Sequence, residues 1–109
     1  MKAFLIDPKA KNITEIDFDK SDYRNINEIL GCRCFTVTWI NTGTTDEVFV
    51  DDEGLLSEDT PLYSFQFLGG HQPLVGRGLV LGAPDSNGET TPATLTLEKL
   101  QEITRFGVI

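Results

Sequence analysis

Positive charge is scarce in this sequence. Nine Lys and Arg face seventeen Asp and Glu, for a net charge of −8, and no cation falls between Arg33 and Arg77. That balance argues against direct nucleic-acid binding, which needs surplus cations to displace counterions from phosphate. No stretch approaches the ~18–20 apolar residues of a membrane-spanning helix, so no membrane partner is expected. Cysteine is limited to Cys32 and Cys34. A disulfide across one intervening residue would be strained and would close almost no loop. Two reduced thiols in a strand are expected instead, as suits a cytoplasmic protein. The start, Met1 to Pro8, holds an apolar run of four residues that Asp7 and Pro8 end at once. It reads as a first strand rather than an export signal, which again places the chain in the cytoplasm.

What is present suits one globular domain, residues 1–109. Thr, Ile and Val supply 26 of the 109 residues, which favours a sheet. Residues 2–7 and 12–18 predict a hairpin. A helix is expected after Asp19 or Ser21, with Tyr23, Ile26, Ile29 and Leu30 at helical steps and Gly31 as its stop. Residues 33–41 alternate as a strand, with Phe35, Val37 and Trp39 on one side. A turn at Asn41–Thr44 returns the chain along 46–51, and Asp51 to Gly54 turns again. Residues 55–61 read as irregular, 62–68 and 79–81 as extended, and Asp85–Gly88 as a turn. The last element is a helix from Leu97 to Phe106, capped by Thr96, with Leu97, Leu100, Ile103 and Phe106 as its apolar stripe. The expected fold is α+β: a mostly antiparallel sheet of about five to six strands with two helices packed on it. Trp39 and the phenylalanines 35, 49, 65 and 67 read as core.

Seven carboxylates crowd the cation-free interval: Asp46, Glu47, Asp51, Asp52, Glu53, Glu58 and Asp59. They predict a negative surface able to meet a basic protein partner, with Leu55, Leu56 and Leu62 nearby to supply affinity. Their spacing does not match a calcium loop, which wants acids at alternate positions and a glutamate six residues after its glycine. A second candidate is the loop Gly69, Gly70 and His71, which carries the sole imidazole and suits a small-molecule or nucleotide ligand. No serine sits in a nucleophile-elbow context, and the glycines at 76, 78 and 82 lead into a strand rather than a helix. No catalytic residue, metal site or cofactor is therefore assigned.

Three segments taken in order, Lys2–Pro8 (KAFLIDP), Val48–Leu56 (VFVDDEGLL) and Pro73–Gly82 (PLVGRGLVLG), carry a resemblance. Together with the closing helix, they resemble an uncharacterised bacterial domain-of-unknown-function family, family 3846, of small proteins often associated with phages and plasmids. The resemblance implies an accessory protein of a mobile element and brings no activity or catalytic residues. The expected function is binding rather than catalysis: an accessory or inhibitor protein that meets a basic protein. Two alternatives stand beside it. One is the small-molecule site at Gly69–His71. The other is a structural subunit that forms a homo-oligomer through an open sheet edge at Lys2–Asp7 or Tyr63–Phe67.

Overall fold

The structure is a computed structural model that describes residues 1–40, 44–54, 61–69 and 72–109. Strands β1 (Lys2–Asp7) and β2 (Asn12–Asp17) form the first hairpin, with Lys2 opposite Asp17 and Asp7 opposite Asn12. Asp7 shapes its turn by accepting bonds from the backbone N–H groups of Lys9 and Ala10. Helix α1 (Arg24–Leu30) follows and stops at Gly31, which takes the left-handed conformation at φ 68°. Its start lies later than Asp19 or Ser21, because those side chains serve the approach. Asp19 accepts from the Ser21 N–H and Asp22 from the Arg24 N–H. The Arg24 guanidinium on Asp22 also holds that carboxyl below the usual carboxylate range.

Strands β3 (Phe35–Trp39) and β4 (Glu47–Asp51) pair antiparallel, and β4 then pairs with β7 (Gly78–Leu81). β7 also pairs with β1, completing a five-stranded sheet in the order β2-β1-β7-β4-β3. A second sheet has the order β6-β5-β8, from β6 (Leu74–Val75), β5 (Tyr63–Phe67) and β8 (Thr104–Val108). Helix α2 (Leu97–Ile103) leads into β8, and its Thr96 cap accepts from the Lys99 N–H as expected. The architecture is α+β, with two antiparallel sheets and two helices among the described residues.

Strand alternation puts the two faces of the large sheet into two cores. On one face, Ala3, Leu79 and Leu81 pack against Ile26 and Leu30 of α1. On the other, Phe4, Ile6, Val48, Val50 and Val80 meet Phe65 and Phe67 of β5 and Leu100 and Ile103 of α2. Strand β7 is buried along its whole length, as a central strand covered on both faces should be.

Three further expectations change. The last helix ends at Ile103 instead of Phe106, because Thr104 to Val108 extend and pair with β5. Phe106 still packs against the core, opposite Phe65 across the ladder, so a three-residue stripe served a helix and then a strand. The proposed free edges at Lys2–Asp7 and Tyr63–Phe67 are both central strands with a neighbour on each side. Finally, Trp39 is not core: it is 73% exposed, and Val37 beside it is 45% exposed. The turn at 41–43 and the irregular stretch 55–60 lie outside the described residues.

Candidate functional site at the β3 edge

The site begins with strand position. Strand β3 is the last strand of its sheet, so one side of its backbone has no neighbouring strand among the described residues. The Asp52 N–H donates to the Cys34 carbonyl and the Ile40 N–H to the Asp46 carbonyl. Bonded pairs alternate along an antiparallel ladder. The even residues of β3 therefore bond to β4, while Phe35, Val37 and Trp39 turn their N–H and C=O outward. Edge strands usually carry charge or proline that blocks further pairing. This one, Phe-Thr-Val-Thr-Trp, carries neither.

Side chains on the α1 face of this edge make a graded surface. Phe35 and Phe49 stack edge-on, with ring centroids 5.5 Å apart, and both are half-buried. Val37 and Trp39 continue the row beyond the reach of α1. Trp39 lies directly opposite Glu47. The two line a groove of about 450 Å³ with Ile40, Thr44, Thr45, Ala83 and Pro84.

The seven acids predicted to form one surface do not behave alike. Asp46 is fully buried, and its carboxylate accepts from the Thr94 N–H and hydroxyl and from the Leu95 N–H, at 2.7–3.1 Å. It is a structural clasp between the start of β4 and the segment entering α2, so it belongs to no surface. Glu47 is 9% exposed and lines the groove. As neighbours in an extended run, the two side chains lie on opposite faces of the sheet. Asp51 is half-buried and accepts from the Glu53 N–H. Glu53 pairs with Arg33 at 3.0 Å, an exposed contact of little energetic weight. Among the described acids of this group, only Asp52 is exposed without a side-chain partner. Glu58 and Asp59 lie outside the described residues, as do Gly70 and His71, while Gly69 is exposed at φ 107°.

A second cleft, of about 500 Å³, lies where the two sheets meet, among Asp7, Lys9, Asp51, Leu62, Tyr63 and Arg77. It mixes two cations with two acids, and the Arg77 guanidinium donates to the Ile29 carbonyl, so it favours no ligand of one sign. No group of three potential metal ligands occurs among the described residues. No helix there is long and apolar enough to cross a membrane.

The cysteines are free thiols outside the strand proper. Burial pushes the Cys32 thiol up, helped by the negative charge of Asp51. Its Sγ also donates to Asn27 Oδ1. Cys34 is exposed. A limiting amount of a chromogenic disulfide reagent at pH 8 should label Cys34 before Cys32, as read by peptide mass mapping; equal labelling would contradict this placement.

Sequence reasoning missed Trp39 because alternation assigns it a face and not a neighbour. The available signal was an uncharged strand carrying the sole tryptophan. Against known proteins, the family model described as Domain of unknown function (DUF3846) matches residues 1–105. No curated protein and no solved structure matches the chain.

Proposed function

For this chain, which belongs to the family Domain of unknown function (DUF3846), we propose a protein-binding function in which an extended segment of a partner adds as a strand beside β3. The observation that carries the reading is the open, uncharged β3 edge with Val37 and Trp39 exposed on it. Strand addition takes affinity from main-chain bonds and specificity from alternate side chains. Three residues, Phe35, Val37 and Trp39, offer outward backbone groups for it. The net charge of −8 and the cation-free interval around β3 favour a basic segment. This retains the basic partner expected from the sequence but moves its contact from the acidic turn to the strand edge. The setting we propose is an accessory or inhibitor protein of a phage or plasmid, acting in the cytoplasm. Family resemblance supports that setting, and the fold adds nothing to it. The Gly69–His71 ligand reading gains no support, since only Gly69 is among the described residues.

The test uses Val37→Pro. Proline there removes an outward N–H and leaves the bonds to β4 in place, a position that edge strands tolerate. Tagged wild-type and variant chains, matched by circular dichroism, are incubated with nuclease-treated bacterial lysate. A protein held by the wild type and weakened about tenfold or more in the variant is expected, the loss of one or two backbone bonds. Equal retention by both chains, or no retained protein, would overturn the reading.

A further inference from the structure

We propose that the groove between Trp39 and Glu47 is a receptor for an organic cation, the alkylammonium or guanidinium group of a lysine or arginine side chain. The argument starts from two adjacent acids treated in opposite ways. Asp46 is buried and saturated with donors from Thr94 and Leu95. Glu47, next in sequence and on the other face, is 9% exposed and has no hydrogen-bond or ion-pair partner among the described residues. A glutamate with so little of its surface in water normally has a partner, because burying an unpaired charge is costly. Among the described residues none is supplied, and the chain's own cations are remote in sequence, with none between Arg33 and Arg77.

The remaining walls suit a cation borne on an alkyl chain. Trp39, the cross-strand partner of Glu47, is 73% exposed and offers the aromatic face that attracts cations most strongly. Ala83 and Pro84 give apolar surface for an alkyl stem, and Thr44 and Thr45 complete the wall. The volume of about 450 Å³ accommodates such a side chain. A single carboxylate is a poor site for an inorganic divalent ion, which takes several oxygen ligands. An anion is disfavoured by Glu47 itself.

This deepens the strand-addition reading, on which it rests for delivery of the ligand: a residue paired with Trp39 on an added strand would present its side chain on the same face. The pocket can be tested without any strand. Trp39 is the sole tryptophan, so its fluorescence reports on this groove alone. The full chain is titrated with N-acetyl-lysine N-methylamide into the millimolar range, and with N-acetyl-norleucine N-methylamide as the neutral isostere. A saturable change with the lysine probe is expected, at least about tenfold weaker for the norleucine probe and for Glu47→Gln. Calorimetry on Trp39→Leu should show a similar weakening. Equal response to both probes, no saturable response, or an unchanged Glu47→Gln titration would overturn the proposal. Because the probe carries no strand, binding here with no partner in the lysate experiment would remove strand addition and leave the pocket standing. The reverse pattern would remove the pocket alone.

Discussion

Asp46→Ala is expected to lower the unfolding free energy by about 3 kcal/mol, a large share of the 5–15 kcal/mol typical of a domain this size. The carboxylate is fully buried and takes four contacts from Thr94 and Leu95. Alanine would leave the N–H groups of Thr94 and Leu95 without these acceptors. Each such orphan costs its full desolvation penalty, more than the bond itself contributed. The damage should spread, because the clasp holds the segment that enters α2, and Leu95, Leu100 and Ile103 all belong to the larger core. Asp46→Asn should fall between the two, since its amide keeps one acceptor oxygen but turns a donor toward donors. Urea unfolding checks this: the midpoint should drop with little change in slope. A shift worth under about 0.5 kcal/mol would place Asp46 among ordinary surface acids.

Phe65→Ala should cost about 4 kcal/mol, at the upper end for a buried aromatic. Phe65 is fully buried at the centre of the small sheet, opposite Leu74 of β6 and Phe106 of β8. Its ring stacks edge-on with Phe67 at 5.5 Å and reaches across to the large sheet. There it lies over Gly78: a Cβ at position 78 would stand 2.6 Å from Phe65 Cζ and 3.0 Å from Val48 Cγ2. The glycine is thus the space that the ring fills. Gly78→Ala alone should overpack the joint, at about 1–3 kcal/mol. Combining Gly78→Ala with Phe65→Leu should cost less than the two single changes added together, since the shorter side chain vacates the space the new methyl needs. A strictly additive double mutant would show that the ring does not seat on Gly78.

Much of the fold was legible because period and punctuation are local. The alternation of Phe35 to Trp39, the Asp7–Pro8 stop, the Gly31 stop and the Thr96 cap all survive in the structure. Phe65 and Phe67 are core, as their strand context implied. The end of α2 was not legible. Leu97, Leu100, Ile103 and Phe106 fit one helical stripe, and only the pairing of Thr104–Val108 with β5, some forty residues earlier in the chain, makes the last of them extended. The candidate site was legible only as composition. A cluster of acids shows that negative charge is near, and burial then assigns each acid a separate fate.

The sequence alone determined the class of the domain, the position of most strands and both helices, and the lack of cations around residues 34–76. These follow from local preference and from charge, which need no partner to express themselves. Tertiary structure decided which strands lie at an edge, that Asp46 is clasped while Glu47 has no partner among the described residues, and that Trp39 stands in solvent beside it. The reason is physical. A strand's alternation states which residues share a face, but whether that face or edge is covered depends on segments far away in the chain. Here α1 shields Phe35 and Phe49 and stops short of Val37 and Trp39.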